Sequence, residues 1–339
     1  MRVLVTGGTG LVGGAVVREL LSRGHAVRLY ARATSDTASL EAAGAEVARG
    51  ELDDPAAIGA ALRGCEGVVH TAGVVGFAPG MEDVLEAVNV RAVETVLGAA
   101  LDAGVSRAVL TSSTSVLGGT RAPKVADEAT PGNAEALGLP YFVSKLRGER
   151  TALALAARGL PVVVVRPSYV LGPGDVHSSS ASILVALARR RIPAYVEGGV
   201  SFCDVRDVAA GHVAALERGR AGEIYILGGH NLTMTEMMRR ACAVAGVPPP
   251  RRVPVPVALG FAWLQETAAR VYRRRTGMTR DLVRASALYT FVSSARAERE
   301  LGYRIRPFED MVTDTLRWAV ETGRLRAETA ALRAVAGGG

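Results

Sequence analysis

Lysine is nearly absent from this chain of 339 residues. Of its 40 basic side chains only Lys124 and Lys145 are lysines. Arginine serves wherever a generic positive charge would do, so a lysine at 145 marks a position that calls for a compact ammonium rather than a planar guanidinium. Aromatic residues are also scarce, at 5%, and the core must be built from Ala, Val, Leu and Gly. Three cysteines, Cys65, Cys203 and Cys242, are widely spaced and odd in number, which argues against a disulfide framework and a zinc site. Five histidines are scattered without ligand spacing, so no metal is expected. No apolar run reaches the ~18 residues of a membrane span, and no leader pattern precedes the first strand. A cytoplasmic, reduced setting is the expectation.

What is present fits a globular protein: 49% hydrophobic and 22% charged residues, with length enough for one large or two medium domains. The net charge is +7. Arginines cluster at 189–191, 239–240, 251–252 and 273–275. Such runs attract phosphates, acidic substrates or anionic membranes, but most often form solvated helix faces. No nucleic-acid motif accompanies them and no aromatics interleave with them, so no nucleic-acid partner is expected.

Short Val/Leu-rich runs alternate with helical patterns through the first half. Strands are expected at 2–6, 26–31, 46–50, 67–71, 107–113 and 161–166, and helices at 11–22, 55–62, 81–101 and 141–157. The strands lack polar alternation, as strands buried on both faces do. This is an α/β pattern, a Rossmann-type doubly wound parallel sheet. The texture changes after Arg166-Pro167. Residues 1–170 read as the dinucleotide-binding domain, with 203–229 returning to it. Residues 171–202 and 230–320 read as a smaller, mainly helical substrate lobe, and 321–339 as a helix end with a frayed tail.

The first strand–helix junction reads Thr6-Gly7-Gly8-Thr9-Gly10-Leu11-Val12-Gly13. It satisfies G-x-G-x-x-G through Gly8, Gly10 and Gly13, and the related spacing through Gly7, Gly10 and Gly13. These glycines permit a tight turn, close approach to a pyrophosphate and close helix–strand packing. The helix N-terminus supplies N–H groups to the phosphates. At the end of the second strand an acid would hold the ribose of NAD, and an arginine the 2′-phosphate of NADP. Here the strand ends Leu29-Tyr30-Ala31-Arg32, with Arg32 19 residues after Gly13 and no acid from there until Asp36. NADP(H) is favoured, with NAD(H) the alternative.

Tyr141 and Lys145 stand four apart, on one face of a helix. An ammonium near a phenol favours the phenolate, and a tyrosine so tuned can exchange a proton with a carbonyl or alcohol.

The glycine-rich loop, Leu110-Thr111-Ser112-Ser113-Thr114-Ser115 and Tyr141-x-x-x-Lys145, in that order, resemble the extended short-chain dehydrogenase/reductase family, also called the NAD-dependent epimerase/dehydratase family. The likeness runs to about residue 320. Within the family the chain looks most like the dihydroflavonol-4-reductase-like branch, which includes proteins labelled hopanoid-associated sugar epimerase. The stretches 68–73, 166–168, 192–196, 204–209 and 225–229 support this. The resemblance implies that Ser113 polarises the substrate oxygen, with Ser112 as the fallback, and that Tyr141 is the acid/base. Lys145 would lower the tyrosine's pKa and bind the nicotinamide ribose. Asn89 would hold the long helix and a water near the lysine. Thr71, Ala72 and Gly73 would line the dinucleotide, Pro167 and Ser168 would lie beside the nicotinamide, and Leu52 would touch the adenine. Glu51 stands where the family usually has Asp.

The triad serves a reductase or dehydrogenase and equally an epimerase with captive NAD. A catalytically inactive dinucleotide-binding protein is the third reading. Ser113-Thr114-Ser115 stands where sugar-nucleotide dehydratases resemble Thr-Asp-Glu, so loss of water is not expected. The substrate is a small molecule, an apolar ketone such as a sterol or terpenoid being one class. The apolar stretch Val253–Leu264 reads as a core or dimer-interface helix, with a peripheral membrane-facing flap as the alternative. Family likeness implies a homodimer through the helices at 81–101 and 141–157.

Overall fold

The computed structural model describes residues 1–174, 182–271 and 277–337. The first half alternates strands and helices: β1 (Arg2–Thr6), α1 (Leu11–Ser22), β2 (Ala26–Ala31), α2 (Ala38–Glu41), β3 (Glu46–Arg49), α3 (Pro55–Leu62), β4 (Gly67–His70), α4 (Glu82–Glu86), a π-helical turn (Ala87–Arg91), α5 (Ala92–Asp102) and β5 (Arg107–Thr111). A 3-10 turn (Thr114–Leu117), β6 (Val125–Ala126), α6 (Ala134–Leu137), α7 (Pro140–Ala157), β7 (Val162–Pro167) and β8 (Tyr169–Leu171) follow. Then come α8 (Ser182–Ala188), β9 (Ala194–Tyr195), β10 (Gly199–Asp204), α9 (Val205–Arg218), β11 (Ile224–Leu227), β12 (His230–Thr233) and α10 (Met234–Ala245). The chain continues through β13 (Arg251–Arg252), α11 (Val255–Val271), α12 (Arg280–Ser286), β14 (Tyr289–Val292), α13 (Ala295–Leu301), α14 (Phe308–Glu321) and α15 (Ala330–Gly337).

Seven strands form the main sheet in the order β11-β7-β5-β4-β1-β2-β3. Every neighbouring pair is parallel. The order reverses between β1 and β4, and the crevice outside the carboxyl ends of strands at such a switch is where this architecture places ligands. Helices α1 and α9 cover one face through Val16, Val17, Leu20, Val208 and Val213. Helices α3, α5 and α7 cover the other through Ile58, Val96, Leu97, Ala152 and Leu155. Both faces are therefore apolar, and all of Val162–Pro167 is buried. Each fully buried aliphatic side chain contributes about 1.5–3 kcal/mol of transfer free energy.

A smaller sheet, β12-β10-β14-β6 with β8 beside β10, takes β6 from the first half and its other strands from beyond β7, and packs with α8, α10, α14 and α15. This part is less purely helical than its composition implies, because its strands are too short for their periodicity to show. Two further expectations change. The helix read over 81–101 contains the π turn at 87–91. The tail read as frayed carries α15, which buries Leu332 against the α10–α14 core. Arg273–Arg275 lie outside the described residues. Among the described residues no helix is long and apolar enough to cross a membrane.

Candidate active site

The glycine-rich loop sits where β1 and β4 part. Gly7 has φ +73°, and a Cβ there would come within 2.5 Å of the Ala72 nitrogen, so only glycine fits both the backbone and the space. A Cβ on Gly13 would overlap the Gly7 carbonyl and the Thr71 hydroxyl. Thr71 Oγ1 donates to the carbonyl of Thr6 at 2.6 Å, tying the end of β4 to the end of β1. Helix α1 begins at Leu11 after Gly10, with no side chain capping its first N–H groups. Thr6, Gly7, Gly10, Leu11, Val12, Gly13, Thr71, Ala72 and Gly73 thus share one strand edge and one uncapped helix terminus. Its bare backbone and free N–H donors fit a pyrophosphate.

Arg32 follows β2 and its side chain is exposed. Arg49 Nη1 donates to the carbonyls of Arg32 (2.9 Å) and Ser35 (3.0 Å) and so braces this loop. No described residue holds the Arg32 guanidinium itself. Tyr30 donates its hydroxyl to the Glu51 carbonyl at 2.9 Å. The Glu51 side chain is exposed, whereas Leu52 is half-buried against the core under α3.

Helix α7 brings Tyr141, Lys145 and Glu149 to one face by its i, i+4 spacing. The Tyr141 phenol is buried, with Phe77 and Phe142 edge-on to it at 5.7 and 6.1 Å between ring centroids. Burial raises its pKa above the ordinary value, opposed in part by the neighbouring Ser113 and Ser115 hydroxyls. Ser113 caps the 3-10 turn at 114–117, accepting from the Ser115 amide at 3.1 Å. Ser112 points elsewhere: its Oγ donates to Glu149 at 2.7 Å. Glu149 in turn receives Arg166 through Nε at 2.9 Å and Nη2 at 2.5 Å, all of it buried. Ser112 is thus engaged by this ion pair, whereas the Ser113 side chain faces the 3-10 turn.

Lys145 Nζ donates to the Thr111 carbonyl at 3.0 Å. Burial pulls its pKa down to about 8, against the opposing charge of Glu149. Gly73 brings the loop after β4 to this point; a Cβ there would lie 3.4 Å from both Lys145 Nζ and Asn89 Oδ1. Asn89 sits inside the π turn and is buried. Its Oδ1 accepts from the Val74 amide at 2.9 Å, while Nδ2 donates to the Val74 carbonyl (2.9 Å) and the Ser144 hydroxyl (3.0 Å). Those bonds occupy the side chain as a clamp between this loop and α7. Pro167 is buried at the end of β7, and beside it the Ser168 Oγ is buried without a hydrogen-bond partner. An unsatisfied hydroxyl at a strand's carboxyl end fits a site shaped for a polar ligand.

Two buried imidazoles lie beneath these groups. Nδ1 of His70 is 2.7 Å from Thr6 Oγ1, and Nδ1 of His212 donates to the Val208 carbonyl at 2.7 Å, leaving its Nε2 to accept from Thr111 Oγ1 at 2.9 Å. Burial holds them neutral, with pKa values of about 3 and about 4. Sequence reading assigned no role to His70, Ser115, Phe77, Glu149 or Arg166. The Glu149 signal was present, since it extends the Tyr141–Lys145 stripe by one more turn.

Residues 3–228 match the NAD dependent epimerase/dehydratase family. The chain belongs to that family. It is 32% identical over 329 residues to the sterol demethylase protein B of Methylococcus capsulatus, covering 96% of this chain and all of that one. It is 29% identical to the 4-hydroxy-2-methyl-3-oxo-4-farnesyl-3,4-dihydroquinoline-1-oxide ketoreductase of Stigmatella aurantiaca, over 96% and 98% of the two chains. Among solved structures it is similar to the dTDP-glucose 4,6-dehydratase DesIV of Streptomyces venezuelae with NAD bound. That match has a TM-score of 0.77, 25% identity, and coverage of 96% and 99%. The chain is an oxidoreductase-type enzyme of the extended short-chain dehydrogenase/reductase kind, with a nicotinamide dinucleotide as its cofactor.

Proposed function

We propose that the protein is an NADP(H)-dependent reductase of an apolar ketone or aldehyde, with Tyr141 as the proton donor. The carrying observation is the setting of that phenol: buried at the start of α7 and walled by Phe77 and Phe142. The surrounding cluster of Leu85, Leu139, Leu288, Val74 and Met81 is apolar too. Such a wall accepts hydrocarbon, while the cavity on the other side of Phe77 is edged by Arg280 and Arg284. The names of the two relatives, a ketoreductase and a sterol demethylase protein, support this reading.

The loop 6–13 and Thr71–Gly73 would hold the dinucleotide, Leu52 its adenine end, Arg32 its 2′-phosphate, and Lys145 and Pro167–Ser168 its nicotinamide end. When bound, the cofactor supplies the hydride. Ser113 orients the substrate oxygen by hydrogen bonding. Tyr141 gives its phenolic proton to that oxygen as negative charge develops there. Lys145 stabilises the resulting phenolate by its charge. Asn89 acts as a positioning residue, fixing the loop that carries Gly73 and Val74 against α7. Residues 171–202 and 230–320 would form the substrate side of the cleft.

The test is to denature freshly purified protein and identify any nucleotide released, then to measure binding of NADPH and NADH to the emptied protein. Roughly ten-fold or greater preference for NADPH, abolished by Arg32→Ser, is expected from loss of a charge-assisted phosphate contact. Stoichiometric NAD⁺ would overturn the reading and mark an epimerase with a captive cofactor.

A further inference from the structure

Helix α11 is built inside out. Its Ala258 and Ala262 are buried against Val196 and Val283, yet its larger side chains face solvent. Val257 is 60% exposed, Phe261 53%, Trp263 53% and Leu264 57%. Of six phenylalanines and two tryptophans in the chain, Phe261 and Trp263 are the exposed ones. In so aromatic-poor a sequence both fall on one helix. From Val253 to Gln265 there is no charged residue. An ordinary surface helix has its polar side outward; this one turns small residues inward and an uncharged apolar strip outward. Such a strip needs a covering partner.

The topology also brings basic residues to the start of this helix. Strand β13, Arg251–Arg252, pairs in parallel with β9, Ala194–Tyr195, and the Arg251 amide donates to the Pro193 carbonyl at 3.3 Å. Arg189, Arg190 and Arg191 follow α8 just before β9, and all five arginines are exposed. Two clusters about sixty residues apart in sequence thus converge where α11 begins. Glu197 is the acid that answers them, 3.5 Å from Arg252, and the Arg189 guanidinium donates to the Arg324 carbonyl.

We propose that this face docks on an anionic lipid surface. Phe261, Trp263, Leu264 and Val257 would enter the boundary between headgroups and acyl chains, and the arginines at 189–191 and 251–252 would meet the headgroups. An amphipathic helix with aromatic and leucine side chains on one side and arginines at its margin is the form that lies in a membrane interface without crossing it. The alternative occupant, a second copy of this chain, would add five more arginines to the same interface with, among the described residues, no matching acidic patch of its own on this face, and like charges oppose that contact. A lipid bilayer rich in anionic headgroups turns the same charge into attraction. The proposal stands on the surface alone and is independent of the reaction assigned above.

The experiment is flotation of the full chain with vesicles of phosphatidylcholine alone and of phosphatidylcholine containing roughly 30% phosphatidylglycerol. Sedimentation without vesicles is run alongside. The expected result is roughly ten-fold more floated protein on the anionic vesicles, reduced several-fold by ~1 M salt, which shortens the screening length to ~3 Å. Arg251→Ala with Arg252→Ala should weaken flotation several-fold. Phe261→Ser with Trp263→Ser should abolish it with an unchanged unfolding midpoint and unchanged NADPH binding. In a Trp318→Phe background, Trp263 fluorescence should shift to shorter wavelength when anionic vesicles are added. Protein that stays in solution with the anionic vesicles overturns the proposal. So does wild-type self-association that Phe261→Ser with Trp263→Ser dissociates, which would assign the face to a second copy.

Discussion

Gly148 on α7 packs directly on the carbonyl oxygen of Asn89, so closely that a Cβ at 148 would overlap it. The carbonyl lies in the π turn, where the wider winding sets Asn89 against α7. A π turn of this kind commonly marks a functional position. Here it lets one asparagine clamp the loop after β4 to the helix carrying Tyr141 and Lys145. Gly148→Ala should therefore cost about 1–3 kcal/mol of stability, as overpacking does, and should lower kcat by disturbing the Asn89 clamp. Urea unfolding and steady-state kinetics on the same preparation check this. Wild-type values for both would separate Asn89 from the site.

Tyr141→Phe removes one hydroxyl from a buried aromatic cluster. It should lower kcat by roughly 10²–10⁴-fold, the range of a general acid, while NADPH binding measured by fluorescence titration stays nearly constant. Substantial residual turnover would place the proton donor elsewhere.

Lys145 loses its proton near pH 8 because its site is buried. The reductive rate should hold through neutrality and fall as pH rises past about 8, where the ammonium that stabilises the phenolate disappears. A pH profile of kcat with saturating cofactor reads this limb directly. A flat profile to pH 10 would mean that the lysine charge does not contribute.

The buried imidazoles make stability depend on pH. Their folded pKa values, about 3 for His70 and about 4 for His212, lie below the ordinary 6.5. Above 6.5 neither state is protonated and they contribute no pH dependence. Below it the unfolded chain takes up protons first, so stability falls as pH drops from 6.5 toward 4. The slope is at most about 1.4 kcal/mol per pH unit for each histidine. Urea midpoints at pH 7 and 5 should differ in that direction, and His212→Gln should reduce the difference.

Glu149 and Arg166 form a buried, bidentate pair that also receives Ser112. Glu149→Ala should cost about 3–5 kcal/mol by leaving Arg166 buried and unpaired. Glu149→Leu combined with Arg166→Met should lose much less, since it removes both charges. Equal losses in the two variants, measured by urea unfolding, would contradict this account.

The elements that position the site were legible because they obey local rules. Strands β1, β4, β5 and β7 are apolar runs buried on both faces, and the glycine pattern needs only a tight turn and a short helix–strand distance. The four-residue spacing of Tyr141 and Lys145 follows from helix geometry. The π turn at Asn89 was not legible, since one extra residue per turn leaves no mark on an apolar pattern. The pairing of Ser112 with Glu149 depends on a contact across 37 residues, and the burial that raises the Tyr141 pKa depends on Phe77 arriving from a separate loop. Neither has a local signature. Helix α15 was missed because an Ala- and Gly-rich tail resembles a frayed one until α10 and α14 cover Leu332. The outward face of α11 ran against the general rule that long apolar stretches go inside.

Asp204 closes β10 in the smaller sheet and, at the next residue, caps α9 beneath the larger one. Arg206 grips both Asp204 at 2.7 Å and Asp314 of α14 at 2.8 Å. The joint between the two sheets is thus a continuous strut with a brace, not a swivel. Nor is that joint the sole tie: the Phe77 carbonyl is held by Thr279 at the foot of α12, so the loop after β4 is moored to the smaller lobe as well.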